Sequence, residues 1–488
     1  MDANTGRGPL TGVHDVEWAR LAPERGDEIP GLLQTVAQGG GGSMEAVTAL
    51  YDILRHPGPG YAAAAEAARF LADIACHPDT AAPGEALSLL FELVVPVPLA
   101  VVPQSWDLDL WRDEVAWAVA ADPEQAREQY RQWCAEAPDE QSYRRMSARY
   151  GVLGRDGGAA LLQAELDVRT AVTERAEALA GLLEGRENRR GMNSTAEWAA
   201  SVLAFLPEAA GHAVPRIRAR MVEEARRPQD AAAGLRMQDE WRQALPAEMV
   251  ALGMLADASD ATATVALVKE LESGNLYRSF AAGCALALIH GENAPEQALA
   301  KLAELGDTRV GFTALFNDAW PHPGVVEPVV LGYVALGRCR GAAAELRAAI
   351  LPGALAHAGP TAAAVVGEAL ESVLGPRTAP EDPAEAMEKA LTEGGDGEPD
   401  RLLRVLWAVA ELPAADWDEH GVGDVAEAWS LPADRAGFRD FVGVDEEEDV
   451  EPAAEAVDAA GSAEGLATQP KTSGEGPTGL LGRLFGGN

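Results

Sequence analysis

Lysine is nearly missing from this chain: of 39 basic residues, only Lys269, Lys301, Lys389 and Lys471 are lysines. Bases as a class are scarce too, 39 against 77 acids, for a net charge of -38. Such a chain is repelled at long range by a polyphosphate backbone or an anionic membrane, which excludes wholesale binding to either and favours a basic or neutral partner. Aromatic residues make up only 6% of the sequence, so the core has to be built largely from Ala, Leu and Val. There are four cysteines, Cys76, Cys134, Cys284 and Cys339, with no C-x-x-C spacing, in Ala- and Leu-rich surroundings suited to buried thiols. That pattern predicts a reduced, cytoplasmic protein.

Long apolar runs are absent as well. The first residues, MDANTGRGPLTGV, have neither the basic start nor the apolar stretch of a secretory signal. The longest apolar stretch, Leu93 to Val102, contains Pro96 and Pro98 and cannot supply the roughly 20 helical residues that span a bilayer. With Pro103 it forms LVVPVPLAVVP, which predicts an extended connection, because proline removes amide donors.

Apolar residues recur instead with a period near 3.6, which predicts an all-α fold. In Ser43–Arg55, residues Val47, Leu50, Tyr51 and Leu54 share one face, and Ser43 is placed to cap the helix start. Pro57-Gly58-Pro59-Gly60 ends it. The next segment, Tyr61–Cys76, turns Ala64, Ala68, Leu71 and Ala75 inward, a small-residue stripe that lets two helix axes come close. The two segments read as an antiparallel hairpin. Asp122-Pro123-Glu124 predicts a helix start at Pro123, and Ser194 with Glu197 forms a capping box ahead of Trp198–Leu206. Leu276–Ile289 carries two adjacent apolar rows and is expected to be buried on two sides. Further helices are predicted over Ala294–Leu305, Gly341–His357, Thr361–Leu374, Pro383–Leu391 and Pro399–Leu412.

Hairpins recurring every 40 to 47 residues are the pattern of HEAT and armadillo arrays, whose stacked units share one continuous core. Trp18, Leu21, Ile29-Pro30, Leu32-Leu33, Leu50-Tyr51, His56 and Tyr61 resemble the first repeats of a group of bacterial HEAT-repeat proteins, mostly without assigned activity. The resemblance covers about the first 80 residues and departs after His56, where Pro57-Gly58-Pro59 replaces a Gln-Gly-Thr turn. It implies a fold and no reaction. The expected organisation is a flexible N-terminus over 1–12, an α-solenoid of stacked antiparallel hairpins over 13–442, an acidic disordered linker over 443–478 and a short apolar motif over 479–488. In that last segment Leu480, Leu481, Leu484 and Phe485 fall on one side of a short helix, a candidate docking motif.

The chemical motifs point away from catalysis. The glycine run Gly39–Gly42 has no G-K-S or G-K-T after it and reads as an inter-helix turn. The eight histidines show no H-E-x-x-H and no paired Cys/His spacing, so neither a metal site nor a cofactor is expected. Asp107 and Asp109, between Trp106 and Trp111, form a D-x-D that could ligate a hard cation; a cap on the helix carrying Val115, Trp117 and Val119 is the simpler reading. No G-x-S-x-G elbow occurs. One basic stretch opposes the global charge: Arg216, Arg218, Arg220, Arg226 and Arg227, against Glu223 and Glu224. Arg216, Arg220 and Arg227 are the candidate basic patch, and a salt-bridged helix face using Glu223 and Glu224 is the competing expectation. The function expected is that of a non-enzymatic scaffold or adaptor with an acidic protein-binding surface, in one version an immunity or inhibitor protein against a basic toxin. The alternative is a nucleic-acid-binding or -modifying solenoid that uses Arg216–Arg227 with a nearby Trp198 or Trp241.

Overall fold

The computed structural model describes residues 8–55, 58, 60–95, 101, 108–184, 195–226, 245–306, 320, 327–377 and 398–444. Among these residues the protein is all-helical, with no strand. In chain order the α-helices are α1 (Trp18–Leu21), α2 (Ile29–Gln38), α3 (Ser43–Leu54), α4 (Ala64–Cys76), α5 (Pro83–Val94), α6 (Leu108–Ala120), α7 (Pro123–Ala135) and α8 (Glu140–Leu153). Next come α9 (Gly158–Thr173), α10 (Ala176–Gly181), α11 (Thr195–Ala204), α12 (Ala210–Arg226), α13 (Leu245–Leu255), α14 (Ala261–Leu271), α15 (Leu276–His290) and α16 (Glu296–Gly306). The described chain ends with α17 (Pro328–Gly337), α18 (Ala344–Ala356), α19 (Ala362–Leu374), α20 (Glu398–Ala410), α21 (Ala414–Glu419), α22 (Val422–Ala428) and α23 (Arg435–Val442).

Local chemistry explains several of these boundaries. The Asp122 carboxylate accepts from the Glu124 and Gln125 amides ahead of Pro123, and Asn275 caps α15 through the Tyr277 and Arg278 amides. Ser43 behaves differently from its sequence reading. It lies inside α3, buried, and its hydroxyl donates to Glu85 of α5, so Gly42 stands at the cap and Ser43 ties two helices together. The glycine run is the turn between α2 and α3, with Gly39 and Gly40 at φ of +67 and +97. Leu93 and Val94, read as the start of an extended connection, close helix α5 instead; Pro96 and Pro98 lie outside the described residues. Pro383–Leu391, Ser194 and the segments 445–478 and 479–488 also lie outside them.

Packing joins many helices to the next or the next but one, α2 on α3 and α4, α4 on α5, α11 on α13, α13 on α15, α15 on α16 and α17, and α18 on α19 and α20, while α4 packs on α9 and α5 on α11 across longer stretches of chain. One buried apolar cluster runs from Val13 to Phe438, and Leu10 packs against it. The small-residue stripe of α4 does bury Ala64, Ala68, Leu71 and Ala75. At Gly253 a Cβ would stand 2.5 Å from Ala285 Cα, so glycine is what lets α13 and α15 touch backbone to backbone. The wide apolar face of α15 is only partly inside: Phe280, Ala281, Cys284 and Ala285 are buried, but Leu276 is exposed. On α6, Val119 is exposed as well, whereas Val115 is buried.

Two further features depart from packing between sequence neighbours alone. α6 to α9 fold as a group whose centre is ionic: Glu114 accepts from Tyr130 at 2.6 Å and from Arg149, and the Arg149 guanidinium lies 4.8 Å over the Trp111 ring. Glu114 and Arg149 are both buried, so each charge depends on the other. α8 also meets α19, more than 200 positions away in sequence, through the Arg377–Glu140 ion pair.

Candidate functional site

The place where α8 meets the C-terminal helices borders a cleft of about 860 Å³. Its walls come from the start of α8, from α17 to α19 and from α20. Every wall but α19 brings an arginine. α17 ends at Gly337, and Arg338 and Arg340 follow in the turn, Arg340 with a left-handed backbone at φ of 43. Arg347 projects from α18, Arg144 from α8 and Arg401 from α20.

These guanidiniums are held by short, specific contacts. Arg347 lies 4.2 Å over the Tyr333 ring, donates Nε to the Tyr333 carbonyl at 3.3 Å and donates Nη2 to Glu368 at 2.6 Å. Arg144 donates to the other oxygen of Glu368 at 2.9 Å, so one carboxylate is shared between two guanidiniums. Arg340 pairs with Glu292 at 3.6 Å, and Arg401 with Glu345 at 3.7 Å. Behind the cleft Arg377 clasps the fully buried Glu140 and lies against the rings of Tyr143 (3.5 Å) and Trp429 (4.9 Å). Glu140 occupies the space where a Cβ on residue 367 would be, 2.5 Å from its oxygen, which makes Gly367 a condition of the α8–α19 contact.

The lining carries five arginines against Asp139, Glu368 and Glu371, a local excess of positive charge in an acidic protein. Burial pushes the Glu371 carboxyl above the usual carboxylate range, with Asp139, Glu140 and Glu368 adding to the rise and a hydrogen bond from the Glu140 amide opposing it. Between the arginines the wall is apolar: Val334, Ala348, Leu351, Val365 and Val405. Forked guanidiniums above an apolar floor suit a carboxylate- or phosphate-bearing ligand, because the planar fork matches both oxygens of such a group. Ser372 is the one hydroxyl besides Tyr333 in the described lining, and it donates to the Ala369 carbonyl at 2.6 Å.

The sites read from sequence are placed elsewhere. Arg216 and Arg220 both lie on α12, and each is drawn to a carboxylate: Arg216 to Glu184 at 3.3 Å and Arg220 to the fully buried Glu248 at 3.1 Å. Arg218 chelates Asp260 at 2.8 and 3.0 Å, and that carboxylate is held below its ordinary range chiefly by the Ala263 amide. These partners belong to neighbouring elements, whereas the sequence pointed to Glu223 and Glu224; spacing along one helix cannot reveal carboxylates brought in by packing. Arg227 and Trp241 lie outside the described residues, as do Leu480, Leu481, Leu484 and Phe485. Asp107 is outside them too, and Asp109 pairs with Arg112 at 3.0 Å on an exposed surface. No group of three or more His, Cys, Asp or Glu that could hold a metal occurs among the described residues.

All four cysteines are free thiols. Burial raises each of them, Cys76 to about 12 and Cys339 to about 11, so the thiolate needed for nucleophilic attack is suppressed at neutral pH. No described helix is long and apolar enough to cross a membrane.

The sequence reading missed the cleft. Its lining comes from five separate stretches, and the only local trace is the density of arginine at 338, 340 and 347 in an acidic chain. Compared with known proteins, the chain matches no family model, no curated protein and no solved structure.

Proposed function

We infer that this chain is a non-enzymatic α-solenoid of HEAT-like hairpins that serves as a scaffold or adaptor by binding another protein through an acidic surface. The observation that carries this reading is where the arginines go. Arg149, Arg169, Arg278, Arg347, Arg377 and Arg439 are turned inward, each onto a carboxylate, Glu114, Glu208, Glu270, Glu368, Glu140 and Glu411 respectively. Pairs of this kind are neutral, so the excess of acids over bases is left to the outside, where it attracts a basic or neutral partner and speeds its approach. Contacts between many helices and their next or next-but-one neighbours support the solenoid part of the reading, with α4 on α9 and α5 on α11 as departures from it. Four free thiols fit a cytoplasmic location. A nuclease-like toxin with a basic groove is the most concrete partner for such a surface, which would make the chain its immunity or inhibitor protein. The nucleic-acid alternative loses ground, since Arg216, Arg218 and Arg220 already have carboxylate partners.

The test is affinity purification of the full chain at moderate salt, followed by calorimetry with the purified candidate. The expected result is a basic or neutral protein whose affinity falls as salt rises. Recovery of no protein, or of one whose affinity is indifferent to salt, would count against the acidic surface.

A further inference from the structure

The arginine cleft is of the wrong sign for the partner just described, and it asks for an acidic occupant. We propose that it is the docking site of this chain's own acidic segment, residues 445–458, which follows directly on the last described residue, Val444. Charge complementarity is the first argument. Eight of those fourteen residues are Asp or Glu, five of them consecutive from Asp445 to Asp449, and the cleft lining carries five arginines against three carboxylates. Two of these arginines share the single carboxylate of Glu368, which leaves donor capacity for further carboxylate oxygens.

Position is the second argument. Helix α23 packs on α20, the Trp407 indole donates to the Val442 carbonyl at 3.3 Å, and α20 supplies Arg401 and Val405 to the cleft. Trp407 lies six residues beyond Arg401, roughly 9 Å along the axis and about 120° around it, and about 160° around the helix from Val405. Chain leaving Val444 therefore has to pass around one helix, a path of roughly 15–20 Å on a cylinder 10–12 Å across. Fourteen extended residues reach about 46 Å, enough to round α20 and cross the cleft. Tethering so close raises the effective concentration to the millimolar range, so weak, charge-assisted contacts suffice for occupancy. The apolar floor offers contacts to Val450 and Val457, which interrupt the acidic residues.

The experiment uses full-length protein in two forms, wild type and a chain neutralised in the segment by D445N, E446Q, E447Q, E448Q, D449N, E451Q, E455Q and D458N. A fluorescent peptide of residues 445–458 is titrated into each at low salt. The neutralised chain is expected to bind the peptide at least about tenfold more tightly than wild type, whose own segment competes. Adding Arg340→Gln and Arg401→Gln to the neutralised chain should weaken binding about tenfold again, with the circular dichroism melt as the folding control. Should the double variant melt early, Arg340→Gln alone serves, because that side chain is 80% exposed and pairs only at the surface with Glu292. Equal affinity of the two forms would make the cleft a site for acidic peptides from outside and overturn the intramolecular assignment. Failure of the neutralised chain to bind, or binding indifferent to the arginine substitutions, would overturn the cleft as the site. Neither result bears on the basic partner of the outer surface.

Discussion

Single side chains in this protein carry unusual electrostatic weight because so many charges are inside. Glu114 is the clearest case: Tyr130 and Arg149 both donate to it, and all three are buried. Replacing it with alanine strands the Arg149 charge, and the expected loss is about 3–5 kcal/mol of stability, read from urea denaturation. Glu92, partly buried near Tyr51, shows the opposite logic, since desolvation raises its carboxyl to about 7. The native state then holds this proton more tightly than the unfolded chain, so the contribution to stability is complete below about pH 4.5 and is lost as pH rises toward 7. Glu92→Gln should remove up to about 3 kcal/mol of that loss, so the variant gains on wild type as pH goes from 4 to 8. Equal pH profiles for the two proteins would refute the assignment. Thiol chemistry gives a simpler check: Cys284, buried in α15, should react with a disulfide reagent at pH 8 only after denaturation.

At the scale of elements, the notable joint is between α8 and α19, where Glu140 fills the notch left by Gly367 and is gripped by Arg377. Gly367→Ala pushes a methyl group onto the carboxylate, and the buried ion pair cannot stay where it is. The expected result is a loss of a few kcal/mol, with hydrogen exchange rising first in α8 and α19 and later in α2 to α5. Uniform faster exchange along the whole chain would mean that this joint is no more local than the core. The basic stretch belongs at this scale as well. Arg216→Ala with Arg220→Ala removes the partners of Glu184 and of the buried Glu248, so a lower melting temperature is expected, by several degrees, along with no salt-sensitive DNA binding to lose. A normal melt combined with lost DNA binding would restore the nucleic-acid reading.

For the whole molecule, charge and topology act together. Several arginines, Arg149 and Arg377 among them, are drawn inward onto carboxylates in a chain whose net charge is -38. Helix follows helix along the chain, yet the α8–α19 contact ties the region of residues 140–144 to that of 368–377 and creates the arginine cleft at the junction. That contact supplies the α8 wall of the cleft. Arg377→Ala is therefore predicted to loosen the closure and also to weaken binding of the acidic peptide, although Arg377 does not line the cleft. Peptide affinity unchanged in a folded Arg377→Ala chain would separate the two.

The sequence by itself determined the helices. Period-3.6 patterning, the Asp122-Pro123 start and the small-residue stripe of α4 are local properties, legible because a helix satisfies its own backbone and needs only one apolar face. Its total charge likewise follows from composition alone. Partners brought from a distance were decided only by the tertiary structure. Ser43 read as a cap because its spacing fits one, but packing delivered Glu85 to its hydroxyl. Arg220 read as a helical neighbour of Glu223 and Glu224, and packing added Glu248 from α13. The cleft left almost no trace in the order of residues, since its arginines come from α8, the turn after α17, α18 and α20. Side chains so far apart in sequence become neighbours only through the summed packing of many helices, and no local pattern encodes that sum.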